Sequence, residues 1–241
     1  MRDVTTALLP SDVAPTSVDP PPPPPAPPLP PSRRPAGSPQ LAVAVALLGA
    51  VVLGGIVLAV APGENALDGW GFSVFPDVLP APFLRAMSDL GLAPVTFGVA
   101  LVAAAFVWRR DRRRALACPV GPALAIGLAE LLKIIVGRRF EGALCWPSGT
   151  TAAVAAVATV VVLVTRRGGR PAAVAIGAAA VIFEVVALVS FRWHYLSDAL
   201  GGVVLGVGCV LLVDALLHCR HRDRRHRPGP GDRAVGFRPP V

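Results

Sequence analysis

Charged residues are scarce in this chain: Asp, Glu, Lys and Arg make up 16% of its 241 residues. A soluble domain of this size carries about a quarter charged residues. The scarcity excludes an ordinary soluble globular domain, and a hydrophobic content of 54% points the same way. The composition is typical of a membrane protein.

Cysteine and aromatic residues are too sparse or too scattered for two further classes of site. No two of the four cysteines form a close pair, so neither a zinc site nor a disulfide framework is predicted, and we interpret them as small apolar filler residues. The Arg clusters have no interleaved aromatics, so nucleic acid is a poor explanation for the net charge of +8. The cysteines are Cys118, Cys145, Cys209 and Cys219.

Long apolar blocks are present instead, each near the roughly 20 residues that cross a hydrocarbon core. They are too long and too uniformly apolar for the alternating strands of a membrane barrel. Because only helices or closed barrels span lipid, the sequence predicts an all-α, six-span transmembrane helical bundle. The blocks are Leu41–Ala61, Leu92–Trp108, Ala115–Val136, Thr151–Thr165, Ala172–Ser190 and Ala199–Leu217.

The distribution of Lys and Arg predicts the orientation of the bundle. Basic clusters occupy the second gap (109–114), the fourth gap (166–170) and the tail, whereas the first gap (62–91) is acidic. We therefore expect both termini in the cytoplasm, and gaps one, three and five outside a plasma membrane. Within gap one, the spacing of Phe83 and Leu84 with Met87 and Leu90 predicts a short helix, either lying in the outer interface or forming a lid.

Three segments follow from this pattern. Residues 1–40 form a Pro-rich leader, predicted to be extended or disordered in the cytoplasm. Residues 41–217 form the membrane domain, and residues 218–241 form a basic cytoplasmic tail. The leader is either a plain tail or a ligand for a proline-binding module.

Cations at the predicted outer face break the positive-inside rule. The third gap carries Arg138 and Arg139, with Lys133 just before it, and the fifth gap carries Arg192 and His194. Both gaps adjoin membrane helices. The economical interpretation is that they build one site for an anionic ligand at the outer face.

His194 and Asp198 are four residues apart, so on a helix they share a face. A carboxylate beside an imidazole fixes its tautomer and raises its basicity, which suits a nucleophile or base. The alternative is that Asp198 caps the start of the sixth span.

A Pro-Ser-Gly turn, residues 147–149, stands at the start of the fourth span. Helix starts bind phosphate through unpaired N–H groups and the positive end of the helix dipole. Ser148 adds a hydroxyl donor, and Gly149 permits close approach of the backbone. An ordinary helix start is the alternative interpretation.

Together these residues resemble the membrane branch of the type 2 phosphatidic acid phosphatase superfamily, whose members are six-span bundles that remove phosphate from lipid phosphates or pyrophosphates. The family pattern has three parts: Lys, six residues, Arg-Pro; Pro-Ser-Gly-His; and Ser-Arg, five residues, His, three residues, Asp. Residues 147–149, His194, Asp198 and Lys133 match it.

The chain also departs from the pattern at four positions. Phe140 stands where the first motif has Arg, and Glu141 replaces its Pro, so Arg138 or Arg139 must substitute. Leu188 stands where the third motif has Arg. Thr150 replaces the histidine of the second motif.

The resemblance implies a role for each matching residue and no cofactor. His194 would attack phosphorus to form a phosphohistidine, and Asp198 would orient it. The missing histidine would have protonated the leaving group, and Thr150, its possible substitute, is a far weaker acid. The phosphate-binding groups would be Lys133, Arg138, Arg139, Arg192, Ser148 and the Gly149 amide.

The loss of an acid bears on the substrate, because general acid catalysis is worth about 10²–10⁴ in rate. The loss is severe for an alkoxide leaving group and milder for a pyrophosphate, which favours a polyprenyl pyrophosphate substrate. A catalytically impaired member that binds phospholipid without hydrolysing it is the alternative.

A transporter or channel is a third possibility, because intramembrane carboxylates often mark transport pathways. Glu130, Glu184 and Asp214 lie in or near the ends of apolar blocks. Glu130 is spaced to pair with Lys133, but Glu184 has no partner that the sequence identifies. No metal site is predicted, since the outer loops lack a cluster of ligands.

Labelling of introduced cysteines tests the orientation. We expect Arg112, Arg167 and Arg222 to be accessible from the cytoplasm, and Ser148 and His194 from outside. Labelling of Arg112 and His194 from the same side would remove the basis for an outer phosphate site.

Overall fold

The computed structural model describes residues 39–76 and 78–225, with side chains as far as His218. Residues 1–38 of the predicted Pro-rich leader and the end of the basic tail lie outside the described residues, whereas Pro39 and Gln40 belong to the first helix. All structural statements below concern the described part of the chain.

The described residues form eight α-helices, so the prediction of an all-α protein is confirmed. Two single 3-10 turns, Asp89–Gly91 and Arg167–Gly169, and one small hairpin of two-residue strands complete the secondary structure. The helices are α1 Pro39–Val60, α2 Ala66–Val74, α3 Ala81–Ser88, α4 Ala93–Val107, α5 Arg112–Val136, α6 Gly149–Val164, α7 Arg170–Ser190 and α8 Leu196–Arg225.

Each predicted apolar block forms a helix, but the helices differ in their ability to cross a membrane. Four of those described are long and apolar enough: α1, α5, α7 with its preceding turn, and α8. A fifth crossing is obtained if α3 and α4, which are bent by 59° relative to each other, are taken together. Helix α6 has only 16 residues. The structure is thus a multi-pass membrane protein, and the six crossings remain a prediction.

Helix α8 lies at the centre of the bundle, packed against α1, α5 and α6. Small residues allow this close approach, as they do between helices in lipid. A methyl group on Gly206 would meet the carbonyl oxygen of Ala152, and one on Gly202 would meet that of Ser148. The backbones of α6 and α8 are therefore in direct contact, and this contact fixes the start of α6 against the first turns of α8.

The side chain of Trp146 packs between α1 and α8, just before α6 begins. Its indole ring lies against Gly54 and Gly55 of α1 and against Gly201 of α8, and only 5% of the residue is exposed. The three glycines leave space for the ring, which anchors the segment that precedes α6.

Helix α3 packs on the end of α7 through Leu84, which is buried with Val186 and Ala187. The prediction of a short helix with Leu84 on its apolar face agrees with this. Ser88 on the same helix is buried as well, and its hydroxyl donates a hydrogen bond to the Arg85 carbonyl at 2.9 Å, so no unpaired donor is brought inside.

The contact between α6 and α8 can be tested with a single methyl group. Gly206→Ala should lower the free energy of unfolding in detergent by roughly 1–3 kcal/mol. The added methyl group would meet the backbone of α6, which cannot move aside as a flexible side chain can. Gly127→Ala is the matched control, because a methyl group there meets nothing within 4 Å; it should be neutral or stabilising by up to about 1 kcal/mol. Equal effects of the two substitutions would contradict the proposed packing.

Candidate functional site

The predicted site residues gather at one end of the bundle, where α5 and α7 end and α6 and α8 begin; we call this the site end. Helix α5 stops at Gly137, whose φ of 68° is the left-handed conformation that commonly ends a helix. The hairpin that follows pairs Arg139 with Leu144 and Phe140 with Ala143. Its turn uses positive φ at Glu141 and Gly142, as tight hairpin turns of this type require.

Arg138 is completely buried at the site end and uses all five of its N–H donors. Nη1 donates to Asp198 Oδ1 at 2.6 Å and to the Ser197 hydroxyl at 2.7 Å. Nη2 donates to Asp68 Oδ2 at 2.7 Å. The remaining donors bind the loop before α2, with Nη2 also at 2.9 Å from the Gly63 carbonyl and Nε at 3.1 Å from the Pro62 carbonyl.

The electrostatics of this cluster hold Arg138 charged and in place. Burial by itself lowers the pKa of Arg138, but its hydrogen bond to Asp68 and the charges of Asp198 and Asp68 outweigh burial and leave the pKa above its usual value. An arginine has five N–H donors, so in this geometry none remains for a phosphate oxygen. In this geometry Arg138 positions Asp68 and Asp198, and the predicted contact with phosphate would require one of these hydrogen bonds to open.

His194 and Asp198 lie side by side, with His194 Nδ1 3.7 Å from Asp198 Oδ2. That distance is beyond a hydrogen bond, and Nδ1 has no partner among the described residues. Asp198 Oδ2 also accepts the Tyr195 amide at 3.2 Å. Asp198 thus caps the start of α8 and faces the imidazole, so the two interpretations of this pair are compatible.

The Pro-Ser-Gly turn is joined directly to α8, because the Ser148 amide donates to the Asp198 carbonyl at 3.0 Å. Ser148 is the N-cap of α6 and is fully buried. Its hydroxyl accepts from the Thr151 hydroxyl at 3.0 Å and, at 3.4 Å, from the Thr151 amide. The start of α6 therefore lies against the backbone of Asp198, while the Ser148 hydroxyl is largely engaged in capping.

Lys133 reaches the same turn from α5. A methyl group on Gly149 would lie 3.6 Å from Lys133 Nζ and 3.1 Å from Glu130 Oε1. Lys133 and Glu130 form the predicted ion pair, with Nζ 2.7 Å from Oε1. An incoming phosphate would therefore share or displace Glu130 as the partner of this ammonium group.

The other two predicted cations stand at the exposed edge of the site end. Arg139 donates to the Gly142 carbonyl of its own hairpin at 2.7 Å. Arg192 has a φ of 52° and its guanidinium lies over the Phe72 ring, 4.7 Å from the centroid. Both side chains are exposed and differ in this from Arg138.

Phe140, which stands where the family pattern has arginine, belongs to an aromatic cluster at the site end. Its ring packs against Tyr195 at 4.6 Å and Phe72 at 5.8 Å between centroids. Arg138 stacks on Tyr195 at 4.1 Å, and Arg192 covers Phe72. The chain therefore presents aromatic surface between its two cationic side chains where the pattern would place a third cation.

Two buried carboxylates were not assigned to the site by their sequence pattern. Asp68 joins the start of α2 to Arg138 and accepts the Ser197 amide at 2.9 Å; its position three residues after Asn65, a capping-box spacing, was the available signal. Glu184 on α7 is fully buried beside Thr150. Its lack of a partner in the sequence was the only indication.

Cys145 lies under the Arg138 cluster and is an inert thiol. Burial and the charge of Asp198 raise its pKa to about 12, so it carries no thiolate at neutral pH. Among the described residues, no group of three or more His, Cys, Asp and Glu side chains is arranged to hold a metal ion.

Comparisons with known proteins agree with the motif resemblance. The family model described as "PAP2 superfamily" matches residues 135–222, which contain the hairpin, the Pro-Ser-Gly turn and the His194–Asp198 pair. No curated protein matches the chain significantly.

A solved structure shares the fold. It is described as the crystal structure of the first transmembrane PAP2-type phosphatidylglycerolphosphate phosphatase from Bacillus subtilis. The TM-score is 0.60 at 17% identity, covering 77% of this chain and 98% of that one. The family model thus confirms the predicted resemblance to the type 2 phosphatidic acid phosphatase superfamily over residues 135–222, and the solved structure shows that the fold is shared with a membrane protein.

Removal of the Arg138 cation tests its positioning role. Arg138→Gln would leave Asp68 and Asp198 buried without a counter-charge, and breaking a buried ion pair in this way costs about 3–5 kcal/mol. We expect this loss in the free energy of unfolding in detergent. Arg139→Gln, in the exposed hairpin, should change it by less than about 0.5 kcal/mol. A stable Arg138→Gln protein that had lost only phosphate affinity would restore Arg138 as a direct ligand.

Proposed function

We propose that the protein is a membrane lipid phosphatase that hydrolyses a lipid phosphate or polyprenyl pyrophosphate at the outer face of the plasma membrane, with His194 as nucleophile. The observation that carries the proposal is the hydrogen bond from the Ser148 amide to the carbonyl of Asp198, the residue whose side chain faces His194. It joins the start of α6, whose first amides favour a phosphate group, to the turn that carries the partner of the candidate nucleophile.

The geometry supports different roles for His194, Asp198 and Arg138 in the reaction. His194 Nδ1 faces Asp198, so Nε2 is the nitrogen left to attack phosphorus. Asp198 stabilises the positive charge that develops on the imidazole, and Arg138 holds Asp198 from behind. Because all five N–H donors of Arg138 have acceptors within the protein, Arg138 contributes to the reaction indirectly, through Asp198.

Phosphate charge would be held by groups that are not fully committed to the protein. The ammonium of Lys133 lies against the start of α6, and the guanidinium groups of Arg139 and Arg192 stand at the exposed edge. Together with the first α6 amides these groups would supply positive charge at the site end, which stabilises the charge on transferring phosphoryl groups.

A groove for a hydrocarbon chain adjoins this site. A cavity of about 430 Å³ lies between α4, α6 and α7, and Leu90 and Thr96 line the end nearest the site. Leu90 immediately precedes Gly91, which packs against Thr150. The other lining residues are apolar or glycine, which suits the acyl or prenyl chain of a lipid and leaves its phosphate at the site end.

Three departures favour the alternative of a phosphatase-fold protein that binds phospholipid without hydrolysing it. Thr150 occupies the position of an acid, Phe140 that of a phosphate-binding arginine, and Arg138 is fully engaged. Binding would survive these changes better than catalysis, because it requires positive charge and does not require proton transfer.

Substitution of the nucleophile distinguishes the two functions. His194→Gln should lower phosphate release from lipid phosphates and pyrophosphates by several orders of magnitude, because the attacking nitrogen is lost. The measurement is phosphate released by the purified chain in detergent across a panel of both substrate classes.

His218→Gln is the matched control, since His218 contacts Asp111 and Asp214 in another part of the bundle and should leave release unchanged. Activity that persists in His194→Gln would exclude the mechanism. A wild-type protein that binds phospholipid vesicles but releases no phosphate would establish the alternative.

A further inference from the structure

Glu184 is a carboxyl group buried in α7 without any hydrogen-bond partner. Its residue exposure is 0%, and neither carboxyl oxygen has a hydrogen-bond partner among the described residues. Burying a polar group in this way costs free energy, and burying its charged form costs far more. The protonated form of a carboxyl group is favoured in such a place without a cation, which makes Glu184 a candidate proton donor.

The position of Glu184 indicates what the proton is for. A methyl group on Gly91 would lie 3.1 Å from Glu184 Oε1 and 2.6 Å from Thr150 Cβ, so both side chains meet at this glycine. Thr150 is the residue that replaces the histidine of the second motif. The unpartnered acid of the fold thus adjoins the position from which an acid is missing.

Thr150 connects Glu184 to the site. It is partly exposed in the first turn of α6, and its hydroxyl lies 3.4 Å from the Ser148 hydroxyl. Glu184 lies behind it, closed off from solvent. A threonine hydroxyl is a poor acid by itself, but it can pass a proton from a carboxylic acid to a third oxygen, since it both donates and accepts.

We propose that Thr150 and Glu184 form a proton-donating pair that takes the place of the missing histidine, with Glu184 as the proton source and Thr150 as the relay that touches the leaving oxygen. The inference rests on the proposed phosphatase function and deepens it. It also extends the substrate range, because a chain with such a pair would process monoesters with alkoxide leaving groups as well as pyrophosphates.

The proton balance is complete in both halves of the reaction. As His194 Nε2 bonds to phosphorus and the bond from phosphorus to the lipid oxygen breaks, that oxygen takes the Thr150 hydroxyl proton and Thr150 takes the Glu184 proton. Water then attacks the phosphohistidine. Its hydroxide joins phosphorus, its proton returns through Thr150 to Glu184, and inorganic phosphate leaves a neutral imidazole.

Two substrates with one lipid anchor and different leaving groups test the pair. Phosphatidic acid expels an alkoxide and needs a proton, whereas diacylglycerol pyrophosphate expels a phosphate and needs it much less. Glu184→Gln and Thr150→Val should each lower kcat for phosphatidic acid by about tenfold or more, up to the about 10²–10⁴ that general acid catalysis contributes. On the pyrophosphate each should cost less than about threefold.

A double variant and two rescue variants distinguish a proton relay through Thr150 from a purely structural effect of the substitutions. The double variant that combines Glu184→Gln with Thr150→Val should be no slower than the slower single variant, because each substitution alone already interrupts the same proton transfer. Thr150→Ser should retain the hydroxyl and most of the rate. Thr150→His should restore phosphatidic acid turnover in the Glu184→Gln background. Thr159→Val is the matched control, because the Thr159 hydroxyl donates only to the Ala155 carbonyl within α6. It should change the rate on neither substrate.

Three results would overturn the inference. Equal losses on the two substrates would show that Glu184 only supports the fold, and unchanged rates would show that it does nothing. Losses that multiply in the double variant would show two independent residues. Each of these leaves an active wild type and the proposed function intact, whereas a wild type that releases phosphate from neither substrate removes both.

Discussion

The five hydrogen bonds of Arg138 are the constraint on which the site end depends. They tie the loop after α1, the capped start of α2 and the first turn of α8 to the segment that follows α5. Asp68 and Asp198 are buried with it and would be uncompensated without it. The position of Asp198 beside His194 is therefore a consequence of a buried ion cluster.

Close helix packing provides the second half of the arrangement. Glycines on α8 bring its backbone against α6, and the Ser148 amide bonds to the Asp198 carbonyl. The first turn of α6 is consequently held against the first turn of α8, the turn that carries Asp198. A rigid frame of this kind suits a phosphate site, where several donors must converge on one group.

The chain combines the candidate nucleophile pair His194–Asp198 with predicted phosphate ligands that are partly engaged within the protein. Arg138 donates all of its hydrogen bonds to groups of the protein, Phe140 stacks with Tyr195, and Lys133 forms an ion pair with Glu130. The site therefore has fewer cations directed at phosphate than its sequence suggested. Glu184 lies behind Thr150, so a buried carboxyl group adjoins the position where the family pattern has its second histidine.

Sequence alone determined the features that depend on local chemistry. Apolar composition predicted helices, an i, i+4 spacing placed His194 and Asp198 on one face, and the Pro-Ser-Gly turn predicted the start of α6. Tertiary structure decided what these side chains do. Whether Arg138 binds phosphate or Asp68, and whether Glu184 faces lipid or Thr150, depends on which distant segments pack together. Hydrogen-bond partners separated by about 60 to 130 residues leave no periodicity in a sequence, and a buried donor is committed only when folding brings its acceptor into range.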